Sequence, residues 1–300
     1  MNEFRTGVIG LGAMGGPMAR HLASHGMLSG VWNRSVEKAE SLAKELNTLH
    51  AGSPAELAEN SNIVLTCVSA DEDLEAVIEQ VQAGMKRGDV LIDTSTVSPD
   101  VTQRMAERLE NSGVDWIDAP VSGGVEGAIN GTLSVMAGGD FATFSRVLPV
   151  LEAFSARVTH MGPVGYGQAT KAVNQVIVGG VAEAVCEALA LSEKLNLPSE
   201  RLLTVLTAGA ADSWFLRYRG QSMLESRFEP GFKQALLLKD LKIVRKMARD
   251  LDITMRMVET TIEDYQVLVD AGEGDLDTSG LIKRKRLQMS ADNKESGSHD

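Results

Sequence analysis

The segment GVIGLGAMGGPMA, residues 7–19, decides how the rest of the chain is read. It passes from a short apolar run, TGVI, through three spaced glycines into a helical stretch, GGPMARHLASHG. Between a strand and a helix, glycines at G-x-G-x-x-G spacing have separate uses. Gly10 permits a tight turn, Gly12 lets the backbone approach a pyrophosphate, and Gly15 allows the helix to pack closely on the strand. The helix N-terminus then offers N–H groups and the positive end of its dipole to phosphates. Gly10, Leu11, Gly12, Ala13, Met14 and Gly15 are therefore expected to form a dinucleotide-binding loop. Met14, Met18 and Met27 otherwise read as packing residues.

The next strand, LSGVW, ends in Asn33, Arg34 and Ser35. An NAD site usually places an acid here, against the ribose 2′-hydroxyl, and this segment has none. Arg34 can meet a 2′-phosphate with a forked, charge-assisted pair, and Asn33 and Ser35 can add neutral bonds. NADP(H) is the expected cofactor, with NAD(H) also possible. Later strand ends lead into VSADED, DTSTVS and DAPVSGG, where an open α/β sheet binds ligands. Val68, Ser69 and Thr96 are candidate cofactor-lining residues, although Ser69 and Thr96 read equally well as helix caps.

Outward from this unit, short β-rich runs alternate with helical stretches up to about residue 160. The strand candidates are TGVIGL, LSGVW, NIVLTCV, DVLIDT, VDWIDA, LSVMAG and RVTHM. Several are continuously apolar, as strands covered on both faces are. Ser53 and Ser98, each followed by proline, mark helix starts, with Glu56 at the capping-box position. After about residue 167 helical periods take over. Val173, Ile177, Gly180, Ala184, Ala188, Leu191 and Leu195 share one face of a helix expected over 168–195, about 40 Å long. Further helices are expected near 198–208, 233–251, 254–271 and 278–289. The fold class is α/β: a Rossmann-type doubly wound sheet, then a long interdomain helix and an all-α C-terminal domain. The expected domains are 1–162 and 163–289, with a disordered tail over 290–300.

The 300 residues are 43% hydrophobic, ample for two cores, and carry a net charge of -12. Such a surface repels phosphates, so neither nucleic acid nor an anionic membrane is an expected partner. The one basic cluster, KRKR at 283–286, is expected near the end of a last helix, where cations complement the dipole. No apolar run is expected to reach membrane-helix length. Cys67 and Cys186 share no short spacing. No metal site is expected, and both read as reduced core residues of a cytoplasmic protein.

One residue resists this bland accounting. Lys171 stands alone among small and apolar residues in GQATKAVNQVIVGG, with Asn174 one turn further on. From the residues alone, a lysine lying along the helix with its head in solvent is the simpler reading.

Four motifs in order, GVIGLGAMGGPMA, DAPVSGG, GPVGYGQATKAVNQ at 162–175 and LLLKDL at 236–241, resemble the β-hydroxyacid dehydrogenase family. That family includes 3-hydroxyisobutyrate dehydrogenases, tartronate semialdehyde reductases and glyoxylate/succinic semialdehyde reductases. The resemblance extends to about residue 288. It implies that Lys171 is the catalytic acid/base, and that Asn174 helps hold the substrate. It implies that Ser122, Gly123 and Gly124 bind the substrate carboxylate, and that Lys239 closes the site near the cofactor. It also implies a homodimer or homotetramer.

The chemistry agrees with these roles. Reduction of a carbonyl builds negative charge on oxygen, and a cationic proton donor beside it stabilises that charge. The expected activity is NADP(H)-dependent reduction of a small carboxylated aldehyde, such as tartronate semialdehyde, succinic semialdehyde or glyoxylate. The alternatives are oxidation of 3-hydroxyisobutyrate or 3-hydroxypropionate, an imine reductase, and a non-catalytic dinucleotide-binding module. Trp214, Phe215 and Tyr218 either line a pocket or staple helices.

Overall fold

Strands that are apolar at every position need cover on both faces, and the sheet of this chain has it. A computed structural model describes residues 4–295, with side chains to residue 290. The chain divides into two compact units, 1–171 and 172–300, with the division inside one helix.

The first unit alternates β1 (Thr6–Ile9), α1 (Gly15–Ser24), β2 (Leu28–Trp32), α2 (Val36–Leu46), β3 (Leu49–His50), α3 (Pro54–Glu59), β4 (Ile63–Thr66), α4 (Asp71–Val81), β5 (Val90–Asp93), α5 (Pro99–Glu110) and β6 (Asp115–Asp118). It continues with β7 (Val121–Ser122), α6 (Gly124–Asn130), β8 (Leu133–Gly139), α7 (Phe141–Glu152) and β9 (Ser155–Gly162). Its nine-stranded sheet runs β3-β2-β1-β4-β5-β6-β8-β7, with β9 on β8. The first six strands of that order are parallel, whereas β8 runs antiparallel to β6 and β7.

The period of two sends neighbouring residues into different cores. Val8, Leu65, Ile92 and Ile117 join one cluster, under α1, α2 and α7. Ile9, Val64, Leu91 and Trp116 join the other, under α3, α4 and α5. Parallel register aligns Trp32, Ile9, Thr66, Asp93 and Asp118 in one row at the carboxyl ends of the strands. Every loop expected to meet ligand leaves from that row or just beyond it.

The second unit is helical. It takes up α8 (Tyr166–Lys194) after Lys171 and adds α9 (Ser199–Leu206), α10 (Trp214–Leu224), α11 (Gln234–Asp250) and α12 (Arg256–Asp270). A 3-10 turn at Thr278–Gly280 leads into α13 (Leu281–Glu295). Ala182, Cys186, Leu189 and Ala190 of α8 pack with Phe215, Leu241, Ile262 and Tyr265 in a third core.

Several expectations need correction. The stripe read along α8 is its outer face: Val173, Ile177, Leu191 and Leu195 are exposed, and the buried face lies opposite. By length and composition α8 could cross a membrane, contrary to the expectation that no run reaches that length. The core helix of a globular domain meets the same criterion, and much of α8 is core. The segment 210–221, where no helix is expected, holds the start of α10, capped by Ser213 accepting a bond from Leu216 N–H. The cluster at 283–286 sits in the opening turns of α13, at the wrong end of the dipole. It is held by acids instead: Lys283 by Glu273, Arg284 by Asp264, Lys285 by Glu183 and Asp264, and Arg286 by Glu193. Helix α13 also extends to Glu295, into the segment expected to be disordered, and 296–300 lie outside the described residues. Both cysteines are free; Cys186 is buried, but Cys67 is only partly so.

Candidate active site

The first loop is built by glycines that differ in what surrounds them. Gly10 has φ +90°, and a Cβ there would lie 2.2 Å from the Cys67 carbonyl oxygen. A Cβ on Gly15 would lie 1.9 Å from the Gly10 carbonyl oxygen. Both positions are closed by the protein itself. Gly12 is the reverse, with nothing within 4 Å of its would-be Cβ. That open face lies at the start of α1, whose first turn has no acid and no side-chain cap. An uncapped helix start beside open space fits a pyrophosphate. Leu11 is buried, while Ala13 is exposed and Met14 half-buried.

Asn33 proves to be part of the scaffold of this loop. Its side-chain oxygen accepts a hydrogen bond from Leu11 N–H at 2.9 Å, tying the end of β2 to the glycine turn. Arg34 is exposed and pairs with Asp73 at 2.9 Å. Exposed pairs of this kind are weak, at about 0–1 kcal/mol, so a phosphate can take the guanidinium over. Ser35 is exposed at the start of α2. Val68 is half-buried and donates its N–H to Ser95 Oγ at 2.9 Å. Ser69 is exposed and Thr96 half-buried, after β4 and β5 respectively. These residues gather at the ends of β1, β2, β4 and β5, around the β1–β4 switch in strand order.

Lys171 is buried, at 7% exposure, and does not reach along the helix to solvent. Its Nζ donates to the Val121 carbonyl oxygen at 2.9 Å. Val121 immediately precedes Ser122, Gly123 and Gly124, so the ammonium and this loop come together within the first unit. Gly123 (φ +134°) and Gly124 (φ +65°) use left-handed backbone to turn from β7 into α6. The half-buried Ser122 pairs with β8, across from Ser134.

The start of α8 is fixed by residues that sequence reading passed over. Asp118, fully buried, accepts from Gly165 N–H at 2.8 Å and from Gln168 N–H at 3.0 Å. Gln168 in turn donates to Ser95 O at 2.8 Å and accepts from Val97 N–H at 3.3 Å. Beside Asp118 in the sheet register stands Asp93, also fully buried. Asp93 Oδ1 accepts from Thr66 Oγ1 at 2.8 Å and from Ser95 N–H at 3.1 Å, and its Oδ2 has no hydrogen-bond partner. Burial pushes the Asp93 carboxyl up to about 6, and the neighbouring Asp118 adds to the rise. Burial likewise raises Asp118, against the bonds from Gly165 and Gln168.

In the second unit, Asn174 Nδ2 donates to Gln175 Oε1 at 2.8 Å, and Gln175 Nε2 donates to Asp240 Oδ2 at 2.6 Å. Lys239 Nζ lies 3.0 Å from Asp240 Oδ1. One buried carboxylate thus orders both residues expected to serve the ligands. Phe215 joins the helical core, whereas Trp214 and Tyr218 stack at 4.7 Å on the exposed side of α10. Among the described residues no group of His, Cys, Asp and Glu is arranged to hold a metal.

Strand order, glycine turn and uncapped helix define a Rossmann-type dinucleotide-binding domain. A family model described as the NAD binding domain of 6-phosphogluconate dehydrogenase matches residues 5–162. A second, described as the NAD-binding domain of NADP-dependent 3-hydroxyisobutyrate dehydrogenase, matches 165–284. The chain belongs to the NAD(P)-dependent β-hydroxyacid dehydrogenase family that contains the 3-hydroxyisobutyrate dehydrogenases. It is 36% identical to the 2-hydroxy-3-oxopropionate reductase of Escherichia coli, over 94% of this chain and 97% of that one. It is 29% identical, with TM-score 0.85, to a Mycobacterium tuberculosis 3-hydroxyisobutyrate dehydrogenase structure with L-serine, covering 94% and 99% of the two chains. A structure of Psf3 in complex with NADP+ and 2-OPP is similar at 25% identity and TM-score 0.85, covering 93% and 99%.

Proposed function

We propose that the protein reduces a small carboxylated aldehyde to the hydroxy acid with NADPH, and that Lys171 is the proton donor. The observation that carries this reading is the buried Lys171 ammonium, 2.9 Å from the Val121 carbonyl beside Ser122. Bound nicotinamide supplies the hydride. The chain's own residues do the rest. Ser122 Oγ and the backbone N–H groups of Gly123 and Gly124 hold the carboxylate, which fixes the aldehyde end. Lys171 gives a proton to the carbonyl oxygen as negative charge grows there. Asn174 orients the substrate and Lys239 helps close the site, both ordered through Asp240.

For the cofactor, Gly10, Leu11, Gly12, Ala13, Met14 and Gly15 would hold the pyrophosphate. Val68, Ser69 and Thr96 would line the adjoining strand ends. Arg34, exposed and paired with Asp73 in a salt bridge that phosphate can displace, favours NADP(H) over NAD(H). The absence of an acid at the end of β2 and the NADP+ complex of a similar structure support the same choice. The Escherichia coli relative's name supports 2-hydroxy-3-oxopropionate, which is tartronate semialdehyde, as the first substrate to try.

We also propose that the chain works as a homodimer or homotetramer. The exposed apolar residues Ile177, Leu191 and Leu195 on α8 favour a second copy as their cover. A monomer in sedimentation velocity would refute this.

The test of the activity is loss of NADPH absorbance with tartronate semialdehyde, succinic semialdehyde, glyoxylate and methylmalonate semialdehyde, alongside NADH and Lys171→Ala. Turnover of one aldehyde with NADPH, reduced at least about 100-fold in the variant, is expected. Tight NADPH binding with no turnover of any aldehyde would overturn the substrate class.

A further inference from the structure

A buried carboxylate needs a reason to remain in a protein interior. Asp118 is 0% exposed at the end of β6, next to a second buried carboxylate, Asp93. Its two oxygens are committed to backbone, Oδ1 to Gly165 N–H at 2.8 Å and Oδ2 to Gln168 N–H at 3.0 Å. Both donors belong to the turn that opens α8, where a negative charge also meets the positive end of the helix dipole. The surroundings are shaped to admit it. A Cβ on Gly138 would stand 2.6 Å from Asp118 Oδ1, and one on Gly167 would stand 2.7 Å from Oδ2.

The same segment that carries Asp118 also carries the acceptor for Lys171. Three residues after the carboxylate, the Val121 carbonyl receives the Lys171 Nζ at 2.9 Å. On α8, Gln168 and Lys171 are i and i+3 and so share a face. The helix is therefore tied to one short piece of backbone at two points, through Gln168 N–H and through Lys171 Nζ. A third tie comes from the Gln168 side chain, on Ser95 and Val97. A rotation or slide of the first turn would move the ammonium off the Val121–Ser122 edge. A cap exposed to water would leave that freedom; a buried two-oxygen cap removes it.

We propose that Asp118 is a positioning residue that sets the place of the Lys171 ammonium by fixing the start of α8. The proposal rests on the reading of Lys171 as proton donor. Its failure is separable from the failure of that reading, because the lysine's placement has a readout of its own.

The experiment compares the parent, Asp118→Asn, Lys171→Ala and the double variant. Asparagine keeps one acceptor and sets an amide group against a backbone N–H. We would measure kcat and KM with NADPH and the aldehyde that responds best, NADPH affinity by fluorescence, and thermal unfolding. Separately, acylation of lysines by an N-hydroxysuccinimide ester would be followed by mass spectrometry of each peptide. Asp118→Asn is expected to bind NADPH as the parent does but to lose about 10- to 100-fold in kcat, as small misplacements of a reacting group do. In the Lys171→Ala background the same change should cost less than about twofold, since coupled residues are non-additive. Lys171 should acylate faster in Asp118→Asn, while the exposed Lys44 keeps its rate.

Equal fold losses in both backgrounds, or an unchanged Lys171 acylation rate, would overturn the proposal. Full activity in Lys171→Ala would overturn the proton-donor reading, and the acylation rates would still decide whether Asp118 places the lysine. Should Asp118→Asn not fold, Asp118→Ser, which leaves a small acceptor and no amide, takes its place in the same comparisons.

Discussion

Gly12 and Gly15 stand three residues apart and answer to different demands. The space at Gly15 is closed by the Gly10 carbonyl, so Gly15→Ala is expected to be strongly destabilised, with a large fall in melting temperature by circular dichroism. The space at Gly12 is open, so Gly12→Ala is expected to melt with the parent. Its methyl group would stand where the pyrophosphate is proposed to lie, and NADPH affinity in a fluorescence titration should fall tenfold or more, about 1.4 kcal/mol. Asp93 gives a prediction in pH. Its folded value of about 6 lies above the ordinary 3.8, so folding favours the protonated acid. Stability from this group is complete below about pH 4 and is lost as pH rises through about 6, by up to about 3 kcal/mol. Asp93→Asn should therefore gain in urea midpoint over the parent at pH 8, with the gain vanishing near pH 4. Neither Asp93 nor Asp118 stood out in the sequence, because an acid ending an apolar strand resembles an ordinary turn residue. Only the parallel register of β5 and β6 places the two side by side. Lys171 is conspicuous in the sequence, as a lone charge among small residues, but its burial and its bond to Val121 depend on contacts fifty residues away in sequence.

Elements whose signals are local were readable. Ser53 caps α3 by accepting from Glu56 N–H at 3.1 Å, and Ser98 caps α5 by accepting from Val101 N–H at 3.3 Å. Glu56 departs slightly from the expected box, accepting from Gly52 N–H at 2.7 Å. Helix α10 escaped notice because it lacks a clean stripe: Phe215, Leu216, Gly220 and Met223 are buried, while the large aromatics Trp214 and Tyr218 face outward. Ser213→Ala should cost about 1 kcal/mol in chemical unfolding through loss of that helix's cap. The misplacement of 283–286 has a similar origin. Asp277 stops the chain before α13 by accepting from Ser279, Gly231 and Phe232 N–H groups, so the basic run falls at the beginning of the helix. Lys285 there is buried between Glu183 of α8 and Asp264 of α12. Burial alone would lower its pKa, but the two acids raise it. Lys285→Met takes the cation from the buried Glu183 and leaves Asp264 with Arg284, and urea unfolding should show a loss of about 3–5 kcal/mol.

At the scale of the molecule, the order β3-β2-β1-β4-β5-β6 is the doubly wound arrangement that βα alternation in the sequence pointed to, given the general right-handedness of parallel crossovers. The reversal of β8 did not show, since a buried strand reads the same in either direction and β7 is only two residues long. The outer stripe of α8 misled for a related reason: periodicity identifies a face but does not say what covers it. The bonds of Asp118 also bear on how such chains recombine. The two family models abut at residues 162 and 165, whereas the compact first unit runs on to Lys171. A chimaera joined at the family boundary inherits Asp118 from one parent and its two N–H donors from the other, with Gly167 required between them to spare a clash at 2.7 Å. The unit of inheritance is therefore the nucleotide domain together with the first turns of the following helix, and exchange between relatives should succeed when the crossover falls after Lys171.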